Sequence, residues 1–280
     1  MFSKHLQPST YEEQIYYSVI NPGDVCFDIG ANKGDVSLYL AKLTGETGLV
    51  VSFEPIWPLY TELCKNIHDD KVTKSLIIPI NLGMSNQEKE ATIHVPNGDF
   101  AMGSIAEPDA WKNAQSQHDM WGKKKSLATL DTFTVQLTTI DKFIDKTGIA
   151  VPDFIKIDVE GAELLVLQGA KNWFSGESHP IMLIEVFAPW EKAFNYQPGT
   201  LLTWLQEFGY SFLFACPEGL LAYTPTADKP FPPQFEKGYN VLAYLPIIHA
   251  DRIVRIRKFV VEILSMFPPP MPNHIDELNN

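Results

Sequence analysis

A short stretch near the N-terminus, residues 27–35, combines glycines with acidic and amide side chains in the sequence F-D-I-G-A-N-K-G-D. It closes an apolar run and opens a helical pattern. A buried strand that turns sharply into a helix presents backbone N–H groups at the carboxyl edge of a sheet. Gly30 and Gly34 leave room at that edge for a bulky ligand to lie against the main chain.

The position of Asp28 narrows the class of ligand. A dinucleotide fingerprint has the pattern G-x-G-x-x-G, and Asp28 stands where its first glycine belongs. An aspartate at that point disfavours a pyrophosphate, whose charge has the same sign. It favours a ligand that carries positive charge and hydroxyl groups, such as the amino group and ribose of S-adenosylmethionine (SAM).

A second acidic residue, Glu54, follows the next apolar run, Leu49–Phe53, and precedes Pro55. A carboxylate at this strand tip can accept two hydrogen bonds from a ribose diol, a feature that NAD-binding proteins share. Taken alone, Asp28 could be a helix N-cap and Glu54 a solvated strand end. Their order and spacing together favour a nucleoside site.

Charged residues also lie inside and directly after an apolar strand, in the motif F-I-K-I-D-V-E-G-A-E of residues 154–163. Burying Lys156 or Asp158 unpaired would be costly, so the two must either pair with each other or face a cleft. We favour the cleft, because ionisable groups in unusual environments gather at functional sites. Glu163 is expected in the first turn of the following helix as a capping charge.

Apolar runs alternate with helical patterns along the chain, which predicts an α/β fold with a mainly parallel, doubly wound, seven-stranded sheet. The predicted strands are Val25–Ile29, Val50–Phe53, Leu76–Leu82, Phe154–Ile157, Ile181–Val186, Ser211–Phe214 and Val241–Leu245. The predicted helices are Thr10–Val19, Val36–Leu43, Trp57–Asn66, Ala162–Trp173, Thr200–Phe208 and Asp251–Met266. Ligands bind beyond the carboxyl ends of strands in such sheets, which is where the following residues fall: Asp28, Glu54, Asn81, Asp158 and Glu185.

Composition sets limits on the class of protein. The chain has 280 residues, 45% of them hydrophobic, which is enough for one large α/β domain. Its formal charge of −12 disfavours a nucleic-acid partner, because phosphate binding needs an excess of Lys and Arg. The cysteines have neither metal-ligand spacing nor an even count, so we expect no zinc site and no disulfide framework. The N-terminus does not resemble a signal peptide and no apolar run reaches membrane-spanning length, so we expect a cytoplasmic protein.

With these motifs in place, the chain resembles the FkbM family of SAM-dependent methyltransferases. The matching motifs occur in the family's order between about residues 21 and 246: F-D-I-G-A-N-K-G, F-E-P, L-G, L-T-T-I-D, K-I-D-V-E-G-A-E, Q-G-A and I-E-V. The resemblance implies a Rossmann-like class I methyltransferase fold, SAM as cofactor, and methyl transfer to an oxygen, often a hydroxyl of a sugar, glycan or glycosylated metabolite. Carried onto this chain, the expected cofactor-binding residues are Asp28, Ile29, Gly30, Ala31, Asn32, Gly34, Glu54, Pro55, Leu82 and Gly83.

Methyl transfer to a hydroxyl requires orientation of the acceptor oxygen and a means of removing its proton. We predict that Asp158 is the base, that Glu185 on the neighbouring strand is a second carboxylate, and that Lys156 belongs to the same catalytic group. The two carboxylates could instead hold a divalent cation through oxygen ligands. Pairing with Lys156 is an equally simple use of the same charges, and we expect no metal.

Three further segments accompany the predicted methyltransferase domain at residues 21–246. Residues 1–20 are predicted to form an N-terminal helical segment. Residues 96–129 form an insertion or lid loop, which could recognise the acceptor or anchor itself on the core through its aromatic residues Phe100, Trp111 and Trp121. Residues 247–280 form an amphipathic helix and a Pro-rich tail, whose apolar face could pack on its own domain, form a homodimer or lie on an anionic membrane; we favour the first two.

The expected partner is a small-molecule or glycan acceptor. Two other functions fit part of the pattern. An NAD-linked oxidoreductase would need the pyrophosphate-binding glycines that the turn lacks, and a non-catalytic interaction protein could be built on a methyltransferase fold.

Overall fold

The computed structural model describes residues 8, 10–73, 76–106, 129–176, 179–197, 199–216, 219–232 and 238–256. Within these residues the strands are β1 (Val25–Ile29), β2 (Leu49–Phe53), β3 (Ile77–Ile80), β4 (Gly83–Met84), β5 (Lys89–Pro96), β6 (Leu130–Thr138), β7 (Phe154–Ile157), β8 (Ile181–Phe187), β9 (Ser211–Cys216), β10 (Gly219–Tyr223) and β11 (Gly238–Tyr244). The helices are α1 (Tyr11–Val19), α2 (Asp35–Thr44), α3 (Trp57–Asp69), α4 (Ile140–Thr147), α5 (Glu163–Gln168), α6 (Lys171–Ser175), α7 (Ala188–Ala193) and α8 (Thr200–Gln206). Residues 250–256 are also helical.

The central sheet has the strand order β10-β9-β11-β8-β7-β1-β2-β3. Strands β3, β2, β1, β7 and β8 are parallel, and β11 runs antiparallel to both of its neighbours. Each of the seven predicted strands is present, and the doubly wound α/β fold is confirmed. The predicted strand count was wrong by one, because the chain reverses after β9 and pairs β10 antiparallel to it at the edge of the sheet.

Helices cover both faces of the sheet, and a separate apolar cluster fills each face. One cluster receives buried side chains from α1, α2 and α3, such as Ile15, Leu40 and Leu63. The other receives them from α4, α5, α6 and α8. The predicted helix at 162–173 is divided into α5 and α6 by Gly169, where a Cβ would lie 2.1 Å from the Ser85 carbonyl oxygen. The chain therefore turns at this glycine because the two backbones meet there.

A small second sheet, with strand order β4-β6-β5, was not predicted. Strands β5 and β6 are antiparallel and flank the predicted insertion at 96–129. The signal in the sequence was alternation: Ile93 and Val95 on β5, and Val135 and Leu137 on β6, are buried at every second position. Of the insertion itself, residues 107–128, with Trp111 and Trp121, lie outside the described residues.

The helical residues 250–256 pack on the chain's own core. Ile253 and Ile256 are buried in the cluster on the α1 face. Arg252 donates to both carboxylate oxygens of Asp24 and, at 3.0 Å, to the Val19 carbonyl oxygen. Residues 257–280 lie outside the described part of the chain. None of the helices described combines the length and the apolar character that crossing a membrane requires.

We expect the buried carboxyl of Glu191 in α7 to make stability fall as pH rises. Burial raises the pKa of Glu191 to about 7, so the folded protein keeps this proton at pH values where the unfolded chain has lost it. The contribution of Glu191 to the free energy of unfolding is then largest near pH 5 and is lost as pH rises through 7. Denaturant titrations at pH 5 and pH 8 measure how far the free energy of unfolding falls between the two. This fall should be smaller in Glu191→Gln than in the unmodified protein by roughly 1–3 kcal/mol. The exposed Glu46→Gln should match the unmodified protein, and an unchanged decrease in Glu191→Gln would contradict the expectation.

Candidate active site

The turn after β1 brings two strand tips into backbone contact. Gly30 has φ +88°, and a Cβ there would lie 1.8 Å from the carbonyl oxygen of Asp158. Gly34 has φ +94° and is the N-cap of α2, with Leu63 of α3 close behind it. A side chain at Gly30 would push β1 and β7 apart at their carboxyl ends, because both φ and space exclude it.

Glu54 joins this turn to the start of α3. Its Oε2 accepts from the Asn32 backbone N–H at 2.9 Å, and its Oε1 accepts from the Ile56 N–H at 2.8 Å. The side chain is 4% exposed, and burial raises its pKa to about 7. Each oxygen of an ionised carboxylate has a further lone pair, so Glu54 can hold the turn and still accept hydrogen bonds from a ligand.

A cavity of about 420 Å³ opens beside Glu54 at the carboxyl edge of the sheet. Most of the predicted cofactor-binding residues line it: Ile29, Gly30, Ala31, Asn32, Glu54, Pro55 and Gly83. Leu82 and Gly34 do not. Asn81 donates through Nδ2 to the carbonyl oxygens of Glu54 and Pro55, which fixes the chain next to Leu82.

Asp28 does not line the cavity, although the sequence predicted a direct contact with the ligand. Its side chain points to the α2 face of β1, where Oδ2 accepts from Ser37 Oγ at 2.5 Å. Ser37 in turn accepts from Ser52 Oγ at 2.7 Å. Burial raises the pKa of Asp28 to about 6. The aspartate is thus part of a buried polar chain beneath the turn, because neighbouring residues of a strand face opposite sides of the sheet.

Part of the cavity lining is apolar and comes from the small sheet, which was not predicted, and from the segment after β5, where the sequence pointed to Phe100. Ile93 and Leu137 of the small sheet line the cavity, together with Phe100, Gly103 and Ile105. The backbone of Ser104 pairs with that of His94, which fixes this segment along the edge of β5. The unpredicted hairpin therefore supplies apolar side chains against which a ligand ring can pack.

The three predicted catalytic residues form one cluster, of which Asp158 lines the cavity. Lys156 Nζ is 3.2 Å from Asp158 Oδ2 and 2.8 Å from Asn240 Oδ1. The carboxylates of Asp158 and Glu185 lie within 4.8 Å of each other. The pairing of Lys156 with Asp158, which the sequence left as one of two alternatives, is present, and Asp158 also lines the cavity.

Charge states in this cluster follow from burial and from the lysine. Burial opposes ionisation of Lys156 and Asp158, but each stabilises the charge of the other, so the pKa of Lys156 is raised and that of Asp158 is lowered. Burial and the neighbouring Asp158 both raise the pKa of Glu185. The lysine charge therefore favours an ionised Asp158, and ionisation of Glu185 beside it is opposed.

Glu160, which the sequence analysis quoted only as part of a motif, joins Asp158 and Glu185 within the same 4.8 Å. It adopts φ +52°, and its carbonyl oxygen accepts from Ser104 Oγ at 2.7 Å. Three carboxylates at this spacing suit the oxygen preference of a divalent cation. The positive charge of Lys156 already neutralises one of them, and we assign no metal.

Comparison with known proteins agrees with this geometry. Residues 28–212 match the profile of the Methyltransferase FkbM domain. The chain belongs to the FkbM methyltransferase family. The match covers the glycine turn, Glu54 and the Lys156–Asp158 motif, and it confirms the resemblance seen in the sequence. It ends before β11 and begins after α1.

Three proteins of known sequence or structure are similar to parts of this chain. The chain is 28% identical to AMB antimetabolite synthetase AmbE of Pseudomonas aeruginosa over 172 residues. This match covers 54% of this chain and 8% of AmbE. The crystal structure of methyltransferase FkbM from Methylobacillus flagellatus superposes with a TM-score of 0.47 and 17% identity, covering 81% of this chain and 48% of that one. Aeropyrum pernix fibrillarin, solved with natively bound SAM, superposes with a TM-score of 0.41 and 9% identity, covering 80% of this chain and 67% of that one.

We expect Gly30→Ala to be severely destabilising. The added Cβ would meet the Asp158 carbonyl oxygen and would also require a left-handed backbone, so the free energy of unfolding should fall by more than about 3 kcal/mol. Gly148→Ala is the matched control, because Gly148 has φ +68° with nothing within 4 Å of an added Cβ, and it should cost only about 1 kcal/mol. Urea titrations compare the two, and equal losses would contradict the close approach of β1 and β7.

Proposed function

We propose that this protein is a SAM-dependent methyltransferase that transfers a methyl group to a hydroxyl oxygen of a sugar, glycan or glycosylated metabolite. The observation that carries the proposal is that one cavity is lined by both Glu54 and Asp158. Glu54 can accept hydrogen bonds from a ribose, and Asp158 is an ionised carboxylate in the same lining. Membership of the FkbM family supports methyl transfer as the reaction.

The residues that line the cavity suit the adenosyl part of the cofactor chemically. Glu54 retains acceptor capacity for a ribose diol. The surface formed by Ile93, Leu137 and Ile56 offers apolar packing to the adenine ring. The backbone at Gly30 carries no side chain that would narrow the space beside β1. When bound, SAM supplies a methyl group that its sulfonium already activates.

The work left to the protein is orientation of the acceptor and removal of one proton. Asp158 accepts the hydroxyl proton as the acceptor oxygen forms its bond to the methyl carbon and the carbon–sulfur bond breaks. Lys156 keeps Asp158 ionised before the reaction and stabilises the pair by its charge. Glu185, whose pKa is raised by burial and by Asp158, forms a side-chain hydrogen bond with Asp158 and so helps to orient it. Positioning contributes up to about 7–11 kcal/mol and a general base roughly 10²–10⁴-fold.

Binding of the cofactor is tested directly by titration calorimetry. The intact chain should bind SAM and S-adenosylhomocysteine and should not bind NADH. A panel of sugars and glycosylated metabolites, incubated with methyl-labelled SAM, then identifies the acceptor by label transfer. Binding of NADH without binding of either adenosyl compound would overturn the proposal in favour of an oxidoreductase.

Glu54→Ala should weaken S-adenosylhomocysteine binding by about 1–3 kcal/mol, because charge-assisted hydrogen bonds to the ribose are lost. Since the pKa of Glu54 is raised to about 7, we also expect the affinity of the unmodified protein to fall as pH is lowered from 8 to 6. Glu54→Gln keeps the size of the side chain but does not ionise, so its affinity should be independent of pH over this range. Equal affinity in Glu54→Ala and the unmodified protein would remove Glu54 from the site.

Asp158→Asn should reduce turnover by about 10²–10⁴-fold while S-adenosylhomocysteine affinity stays within a few-fold. The substitution keeps the size of the side chain and removes the proton acceptor. The exposed Asp145→Asn on α4 serves as the control and should retain full turnover. Full turnover in Asp158→Asn would contradict its role as the base, and an unchanged biological activity would favour a non-catalytic interaction protein.

A further inference from the structure

The ammonium of Lys156 is held by residues that lie outside the part of the chain matched by the FkbM domain. Asn240 on β11 accepts from Lys156 Nζ through Oδ1 at 2.8 Å. Asn240 Nδ2 in turn donates to Glu12 Oε1 on α1. The domain match covers residues 28–212, so neither Glu12 nor Asn240 belongs to it. The contacts form a chain from Glu12 through Asn240 and Lys156 to Asp158.

Chemistry alone determines the orientation of the Asn240 amide. An ammonium has donors and no acceptor, whereas an ionised carboxylate has acceptors and no donor. Asn240 lies between one of each, so its oxygen must face Lys156 and its NH₂ group must face Glu12. If Glu12 could no longer accept, the amide would be free to rotate and to present its donors to the ammonium.

The fold holds both residues firmly. α1 begins at a capping box, in which the Thr10 side chain and the Glu13 side chain each bond to the other residue's backbone N–H. Tyr16, one turn after Glu12, packs edge-on against Phe154 of β7, with ring centroids 5.8 Å apart. Asn240 is paired in register with Glu185 in the sheet. α1 and β11 therefore place the Asn240 amide beside β7 and β8, the strands that carry Lys156 and Glu185.

The Asn240 amide also determines which carboxylate forms an ion pair with Lys156. Asp158, Glu12 and Glu185 all act on the charge of Lys156. Asn240 occupies the space between the ammonium and Glu12 and satisfies both, so Lys156 is left to pair with Asp158. Because Lys156 is only 2% exposed, water offers little alternative to these partners, and loss of one should redirect the ammonium to another.

We propose that Glu12 and Asn240 are positioning residues, which hold the Lys156 ammonium against Asp158 and so keep the base ionised and in a fixed position beside the cavity. The inference rests on the proposed function of Asp158. It gives α1 and β11 a part in catalysis. Both elements lie outside the domain match, which therefore does not reveal this role.

The test distinguishes an effect of Glu12 through the orientation of the Asn240 amide from an effect of its negative charge alone. Glu12→Gln removes the charge but keeps an oxygen that accepts from Asn240, whereas Glu12→Ala removes both. In full-length protein labelled with ¹⁵N-lysine, the Lys156 ammonium, assigned by its loss in Lys156→Met, should exchange its protons slowly. Exchange should be about tenfold or more faster in Glu12→Ala and in Asn240→Leu, and close to that of the unmodified protein in Glu12→Gln.

Turnover supplies the second readout, with the acceptor that the panel identifies. Glu12→Ala should lower kcat by about tenfold or more, and Glu12→Gln should restore it, while KM for SAM stays within about twofold in both. S-adenosylhomocysteine affinity, measured for every variant, checks that the cofactor site is intact. The proposal fails if Glu12→Ala and Glu12→Gln behave alike in proton exchange while both bind S-adenosylhomocysteine normally. Absence of that binding in the unmodified protein would instead refute the proposed function.

Discussion

A lysine ammonium buried in the middle of a parallel sheet is the constraint on which the arrangement of this site depends. Lys156 is almost fully buried. An unpaired charge there would cost several kcal/mol, a large part of the free energy of unfolding of an ordinary protein. Its partners must therefore come from the surrounding strands and helices. Asp158 supplies the charge and Asn240 a neutral acceptor. An aspartate that would otherwise tend to protonate on burial remains ionised beside the cavity.

The same region explains why binding and chemistry occur at one edge. The backbones of β1 and β7 touch at Gly30 and Asp158, so the turn that would hold a cofactor and the residue that would take a proton are neighbours. Glu54 links this turn to α3 through two backbone N–H groups. A shift of either strand would therefore alter both the floor of the cavity and the position of the base.

Much of the fold was predictable because buried parallel strands are mainly apolar runs, as in Val25–Ile29 and Phe154–Ile157, each of which contains a single charged residue. The hairpin of β5 and β6 was harder to recognise, since its strands alternate apolar with polar residues and are separated by a long insertion. β10 was missed for a related reason: it is an edge strand, and only its pairing with β9 makes it one. The case of β5 and β6 shows that local pattern does not reveal a strand whose partner is distant in the chain.

Residue type and order were enough to predict a nucleoside site and to group Lys156, Asp158 and Glu185, because these residues lie in or directly after neighbouring strands, near their carboxyl ends. The FkbM family was recognised by the resemblance of its motifs. Tertiary structure alone decided the direction and the partners of each side chain. It turned Asp28 away from the cavity towards Ser37, placed the apolar wall of the small sheet across the cavity, and brought Glu12 and Asn240 to Lys156. Such contacts join residues up to 228 positions apart. They depend on strand register and helix packing, which no local stretch of sequence specifies.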